Sequence, residues 1–264
     1  MKIPASVTVL TKNSGKTLQR ALESVEDFNE IVVCDAGSTD DTLEIARKFG
    51  AKIIAQSPEF LEDGKIFDFA GVRNQTLAAA KHNWIFWLDS DERSGADLVE
   101  AIRKVIQERG EDGKGAFWVN RKYVLDGKVI DCASTYPNRQ MRFFAKNSIE
   151  GMIKKIHEKV KLKPGEKKEF IGGFMYLPTD SDLLEIRRKW GYQISVAAAQ
   201  VAPMSPKQFV EAFFHCAKVS TLWFFRLVRN AIFCSGTKMP FAFEMERHYF
   251  HIRLLRAYWR VVKF

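Results

Sequence analysis

Several absences bound what this chain can be. The four cysteines, Cys34, Cys132, Cys216 and Cys234, lie far apart and include no Cys-x-x-Cys pair. That spacing suggests neither a zinc site nor a disulfide framework, and it fits a reducing compartment. The opening Met1-Lys2-Ile3-Pro4-Ala5 carries no apolar segment of the signal-peptide kind. No uncharged apolar stretch approaches the ~20 residues of a membrane span. There is no obvious repeat and no low-complexity tract. No Gly-x-Gly-x-x-Gly follows the first apolar run, which speaks against a dinucleotide-binding domain. Gly15-Lys16-Thr17 has the tail of a phosphate-binding loop, but Leu10 stands where that motif requires its first glycine.

The 264 residues suffice for one large domain or a domain with an appendage, and 46% hydrophobic content supports a real core. A net charge of +9 favours anionic partners: nucleic acid, acidic lipid head groups or phosphorylated sugars.

The first third of the chain alternates strand and helix signals. Ser6-Val7-Thr8-Val9-Leu10-Thr11 is a β-branched run and reads as a strand. Leu18, Leu22 and Val25 mark a short amphipathic helix. Ile31-Val32-Val33-Cys34-Asp35 reads as a second, buried strand, with Cys34 as a reduced core thiol. Gly37 permits a turn, Ser38 or Thr39 caps the next helix, and Gly50 ends it before a third strand, Lys52-Ile53-Ile54-Ala55. Such alternation predicts a parallel sheet with right-handed crossovers. A helix over about 68–81 carries Arg73-Asn74. Trp84-Ile85-Phe86-Trp87-Leu88 then suits a strand buried on both faces, and Asp89-Ser90-Asp91-Glu92 stands at its C-terminal end. Ligands of open α/β sheets bind outside strand carboxyl ends, where a carboxylate pair suits a divalent cation bridging to a phosphorylated ligand. The bland alternative for Asp-x-Asp is a solvated acidic turn.

Beyond Ala116 the signals turn to strands, with a hairpin near Asp126-Gly127 and short strands at Gln140–Phe144 and Ile156–Val160. These are expected to complete a mixed sheet. After Pro178 the pattern is helical, with Thr179 or Ser181 as cap, interruptions at Pro203 and Pro206, and two later segments rich in aromatics and arginine. A domain boundary is expected near residue 178, giving units 1–178 and 179–264.

Four blocks in order resemble glycosyltransferase family 2, inverting sugar-nucleotide transferases of GT-A fold: Val7–Thr11, Ile31–Asp40, Arg73-Asn74, and Trp87–Asp91. Cys34-Asp35-Ala36 departs from the consecutive aspartates of many members. Arg142-Phe143-Phe144, Glu150-Gly151 and His157-Glu158, with the helical tail, are similar to the lipopolysaccharide core β-glucosyltransferase subgroup. The resemblance implies an α/β GT-A fold, a mixed and mainly parallel sheet flanked by helices, with a C-terminal helical extension. It implies transfer of a hexose, glucose in the subgroup, from a UDP-sugar to a lipid-linked saccharide such as lipopolysaccharide inner core. The same-fold alternative is transfer to polyprenyl phosphate or another cell-surface glycan.

It also implies roles. Thr11, Asn13, Asp35, Arg73 and Asp89 would bind the donor, Asp35 by accepting from uracil; Lys12 would line the same pocket. Asp91 and Asp89 would hold Mg²⁺ or Mn²⁺ on the diphosphate. Glu158 would take the acceptor proton, with Glu150 as the alternative and His157 as a positioning residue. Each residue has a plainer use: Asp35 as a helix cap, Arg73 as a surface charge, Glu158 as a solvated acid.

In the tail, Arg253, Arg256, Arg260 and Lys263 recur near helical spacing beside Phe250, Leu254, Tyr258 and Val261. A basic amphipathic helix with aromatics suits an anionic membrane surface, here the inner face of the cytoplasmic membrane; a packed helix with solvated arginines is the alternative. A nucleotidylyltransferase would show a Gly-rich loop after the first strand, which residues 11–17 lack. A nucleic-acid-binding module would interleave aromatics with a basic sheet surface and not place acids at strand ends. No nucleic-acid partner is therefore expected.

Overall fold

The computed structural model describes residues 1–62, 65–155 and 158–263. Ile156 and His157, on which the expected strand and the positioning residue fall, lie outside the described residues. The chain divides into two compact units, one of residues 1–122 with 138–177, the other of 123–137 with 178–264.

The first unit is built on strands β1 (Ile3–Thr11), β2 (Phe28–Asp35) and β3 (Lys52–Ala55), interleaved with helices α1 (Gly15–Glu23) and α2 (Thr42–Lys48). A two-strand pair, β4 (Leu61–Glu62) and β5 (Lys65–Ile66), precedes α3 (Phe69–Ala79). Then come β6 (Trp84–Asp89), β7 (Arg93–Ser94) and α4 (Ala96–Arg109). The remaining strands are β8 (Ala116–Leu125), β9 (Lys128–Val129), β10 (Asn138–Ala145), β11 (Ile149–Ile153), β12 (Lys159–Leu162) and β13 (Lys168–Pro178). The main sheet runs β3-β2-β1-β6-β10-β8-β13-β7, with β9 on β8. Its β3-β2-β1-β6 part is parallel, and β10 joins it antiparallel to both β6 and β8. The mixed α/β sheet of the GT-A expectation is therefore present. The β11–β12 hairpin stands apart.

Alternation along β6 shows why both faces are apolar. Trp84, Phe86 and Leu88 join the core with Leu18 and Leu22 of α1 and Leu98 and Ile102 of α4. Ile85 and Trp87 face the other way, into a core with Ala70 of α3 and Met152 of β11. A strand covered on both faces reads as an uninterrupted apolar run. Cys34 is buried and free, and burial pushes its thiol up to about 12. One local expectation is corrected. Helix α2 begins at Thr42, not at Ser38 or Thr39, because those two residues are engaged with Asp35 and Asn13.

The second unit contains α5 (Leu183–Val201), α6 (Pro206–Phe233) and α7 (Phe241–Trp259). Asp182, not Thr179 or Ser181, caps α5. Pro206 opens α6 behind a Ser205–Gln208 capping box, so this proline starts a helix where the sequence pattern only appeared broken. Residues 123–137 belong with these helices, which corrects the single boundary expected near 178. Buried Glu244 accepts from Ser134 N at 2.8 Å and from the Ser134 hydroxyl. Met239 N donates to Cys132 O at 2.9 Å, and Asp131 N to Thr237 O at 2.8 Å.

Cys132 and Cys234 form a disulfide with Cα atoms 6.5 Å apart, so the expectation of no disulfide is also corrected. They are 102 residues apart in sequence, a separation that a search for close spacings does not register.

Helix α7 differs from its sequence reading as well. Phe250 packs edge-on against Trp190 at 5.4 Å, and Arg253 pairs with the buried Glu246, which also takes Arg187 at 2.8 Å. Phe250 and Arg253 are therefore used in packing α7 on α5. Among the described residues no helix is long and apolar enough to cross a membrane.

Candidate active site

The parallel strands β2, β1 and β6 bring three of the expected residues to one sheet edge. Thr11 is in register with Asp35, and Leu10 with Asp89, so the carboxyl ends of the three strands coincide. At the β2 end Asp35 is 5% exposed. Its Oδ1 accepts from Thr11 Oγ1 at 2.8 Å and Ser38 Oγ at 2.5 Å. Its Oδ2 accepts from Gly37 N at 2.9 Å and Ser38 N at 2.7 Å. A carboxylate offers about four lone-pair sites, and these bonds use them. In this arrangement Asp35 holds the turn; a uracil N–H could be accepted only if the Ser38 hydroxyl rotated away. Asn13, in the left-handed region at φ 49°, braces the same turn. Its Oδ1 accepts from Thr39 N at 2.9 Å, and its N–H donates to Ser38 Oγ at 2.8 Å.

The β6 end is an ion-paired cluster. Asp89 accepts from Arg73 Nη2 at 2.5 Å, Arg142 Nη2 at 2.7 Å and Trp87 Nε1 at 3.0 Å. The Arg73 side chain is 7% exposed and that of Arg142 1%. Both guanidiniums also lie over the Trp87 ring, at 4.3 and 4.2 Å from its centroid. A cation against a desolvated indole face gains more than one at the surface. Arg73 is thus a buried cation and not a surface helix charge. Burial alone would raise the Asp89 carboxyl, but Arg142 and Arg73 outweigh it and hold it far below the ordinary carboxylate range. Glu92, 5% exposed, accepts from Arg142 at 3.1 Å and Arg121 at 3.3 Å.

Glu158 completes the cluster, with Oε1 3.5 Å from Arg73 Nε. The backbone of β11 and the residues after it packs on α3. Asn74 grips β11 from both sides, donating to Met152 O at 3.0 Å and accepting from Met152 N at 2.8 Å. Phe69 N at the start of α3 donates to Lys155 O at 2.9 Å. Helix α3 therefore carries Arg73 and also holds β11 and the Lys155 backbone. Glu158, Asp89, Trp87, Trp118 and Arg142 line a cavity of about 410 Å³, with Lys159 and Lys168 also at its wall. Glu150 is elsewhere: exposed on β11 and paired with Lys161. The structure thus brings Glu158, Asp89 and Arg73 together and leaves Glu150, Thr11, Asn13 and Asp35 off this cavity wall.

Sequence reasoning gave no role to Arg142, Glu92, Arg121 or Trp87. The signal available was an arginine between Met141 and Phe143 in an apolar strand, since arginine is seldom fully buried unless paired.

Asp91 is exposed in the turn between β6 and β7. Among the described residues no group of three metal-ligating side chains occurs. A hard cation that takes most of its oxygens from a diphosphate and water needs one or two protein carboxylates, which fits Asp91. Asp89, fully engaged with two guanidiniums, does not fit as a second ligand in this arrangement.

Glu92 allows a prediction about pH. Burial pushes its carboxyl from 4.5 up to about 7; Arg142 pulls it down and Asp89 pushes it up. The folded state then binds a proton that the unfolded chain has released between those values, so stability falls as pH rises through that window. Glu92→Gln removes this titration. Urea melts at pH ~5 and ~8 should show the wild type losing as much as ~3 kcal/mol more than the variant across the interval. Equal losses would contradict the assignment.

The fold and the strand-end carboxylates define a class of α/β protein whose candidate site lies at the carboxyl edge of a parallel sheet. The sequence model described as "Glycosyl transferase family 2" matches residues 6–157, and the chain belongs to that family. A TPR repeat-containing protein of Synechococcus elongatus is 34% identical over 125 residues, 47% of this chain and 28% of that protein. An uncharacterized glycosyltransferase of Rickettsia conorii is 28% identical over 108 residues, 40% of this chain and 36% of that protein. The chain thus spans about a third of the length of these relatives. Among solved structures, S. aureus TarS 1–349 in complex with UDP-GlcNAc is similar with a TM-score of 0.46 and 15% identity, over 99% of this chain and 90% of that one.

Proposed function

We propose that this protein is an inverting hexosyltransferase that moves a hexose, glucose by its subgroup resemblance, from a UDP-sugar to a lipid-linked saccharide. The acceptor class is lipopolysaccharide inner core, and the enzyme works at an anionic membrane surface on the cytoplasmic side. Family membership supports the sugar-nucleotide chemistry. The single observation that carries the site assignment is the cavity at which Glu158 stands beside the Asp89–Arg73–Arg142 cluster, while Glu150 is turned to solvent.

In the proposed reaction, an acceptor hydroxyl in the cavity gives its proton to the Glu158 carboxylate as its oxygen bonds to the anomeric carbon. The bond from that carbon to the diphosphate oxygen breaks on the opposite face, and UDP leaves with the bonding pair. Arg73 lies within ion-pair distance of Glu158 and orients the carboxylate. Asp89 acts on the site through the two guanidiniums it holds. A divalent cation at Asp91 would supply charge neutralisation of the leaving diphosphate. Trp118 gives the cavity an apolar wall against which a sugar ring could stack, while the Trp87 ring is used by the two guanidiniums.

Asp91→Asn tests the metal assignment. Turnover should fall on the order of 10²–10³, as for loss of one charge-stabilising group, with an unchanged melting temperature because the side chain is exposed. Full activity of the wild type in EDTA would remove the metal from the account. In the same preparation UDP should bind and a generic RNA oligomer should not; the reverse would favour a nucleic-acid-binding module.

A further inference from the structure

Helix α6 leaves an unusual amount of apolar surface uncovered. Phe213, Phe214, Phe224, Phe225, Val228 and Ile232 are all exposed, Phe214 and Phe225 each at 66%. At 100° per residue they fall within an arc of roughly 120°, the width of a helix face that packs on something apolar. From Phe213 to Ile232 the arc is about 29 Å long at 1.5 Å per residue. An uncovered apolar patch of this extent on a charged chain marks an interaction surface.

Along one edge of the arc, sharing Phe213, runs a groove of about 560 Å³ between α6 and α7. Phe209, Ile252, Leu255 and Trp259 form its carbon walls. Arg256 and Arg260, one helical turn apart, are its charged members. Charge complementarity identifies the occupant. From Pro206 onward the chain carries ten Lys and Arg and three acids, Glu211, Glu244 and Glu246. Glu244 and Glu246 are buried in ion-paired or hydrogen-bonded positions, so the outward charge is almost entirely positive. A second copy of this chain would bring like charges together. An apolar surface bordered by cations matches the boundary between acyl chains and anionic head groups.

We infer that the α6–α7 groove is a lipid site: it takes a hydrocarbon chain of an anionic membrane phospholipid, with the lipid phosphate between Arg256 and Arg260, while the apolar arc of α6 lies in the same bilayer surface. The inference rests on the reading of a lipid-linked acceptor, but it assigns a ligand and a surface that the reading does not require. It also moves membrane contact from the Phe250 and Arg253 face of α7, which is packed, to α6 and the groove.

The test uses the full chain with vesicles of equal parts phosphatidylcholine and phosphatidylglycerol, the latter carrying brominated acyl chains in one series. The wild type should co-sediment, and bromine should quench part of its tryptophan fluorescence. That quenched part should disappear in Trp259→Phe. Phe213→Asp with Ile252→Asp should weaken binding about tenfold or more, as should Arg256→Glu with Arg260→Glu, the latter more at low salt. These side chains are at the surface, and circular dichroism melts check that each variant is folded.

Unchanged vesicle binding by both double variants, or quenching that survives Trp259→Phe, would overturn the site. A lipid-free dimer that Phe213→Asp dissociates would assign the face to a second copy instead. Binding with Trp259 quenching in a protein that turns over no UDP-sugar leaves the lipid site standing and removes the proposed reaction. Transfer to a soluble acceptor fragment without vesicle binding does the opposite.

Discussion

Glu158→Gln should lower turnover by about 10²–10⁴ while UDP binding persists, because the substitution keeps size and shape and removes only the basic oxygen. Glu150→Gln should leave turnover within a few-fold of wild type. The two acids are the competing candidates for the proposed base, and their surroundings differ. The Glu158 side chain is 14% exposed, lines the cavity and sits 3.5 Å from Arg73. The Glu150 side chain is 38% exposed and held by Lys161. Steady-state kinetics on both variants, with UDP titrations alongside, decides between them. A large loss in Glu150→Gln with an active Glu158→Gln would reverse the assignment.

Asp89→Asn should destabilise the fold as well as the site, and in this it should differ from Asp91→Asn. Removing the carboxylate charge leaves Arg73 and Arg142 buried with less than their full complement of anions. Breaking a buried ion pair costs ~3–5 kcal/mol, and the one-third exposure of the Asp89 side chain puts this case near the lower figure. For a chain of this size that corresponds to a melting temperature lower by on the order of 10 °C. The pH dependence follows from the sign of the shift. Two arginines hold the folded carboxyl below its ordinary value of 3.8, so the stabilisation is present above that value and is lost as pH falls below it. The gap between wild type and variant should therefore narrow in acid. A variant melting within ~1 kcal/mol of wild type at neutral pH would show that the cluster is not structural.

The parallel half of the sheet was legible because its signals are local. A continuous apolar run marks β6, Gly37 marks the β2–α2 turn, and regular apolar spacing marks α1. The strand-end placement of Thr11, Asp35 and Asp89 followed directly. What those side chains do was less legible, because it depends on partners distant in sequence. Asp89 reads as a metal ligand until Arg142, 53 residues later, takes one of its oxygens. Asp35 reads as a uracil acceptor until Thr11, 24 residues earlier, and the Ser38 turn fill its lone pairs. Arg73 read as a donor-binding residue, with a surface charge as the alternative, because helix spacing does not reveal that its guanidinium meets Trp87 and Asp89. The tail showed the same limit. Sequence periodicity found basic and aromatic stripes on α7, but only packing against Trp190 and Glu246 distinguishes an inward Phe250 and Arg253 from the outward face of α6.

Sugar transfer is the direct test of the proposed hexosyltransferase. The purified chain is incubated with UDP-glucose, a divalent cation and lipopolysaccharide truncated in its inner core, and the glycolipid is examined by mass spectrometry. The proposed reaction gives a mass increase of one hexose residue, matched by released UDP, absent in Glu158→Gln and in Asp91→Asn. A folded, UDP-binding protein that adds no hexose to this acceptor from any UDP-hexose would contradict it.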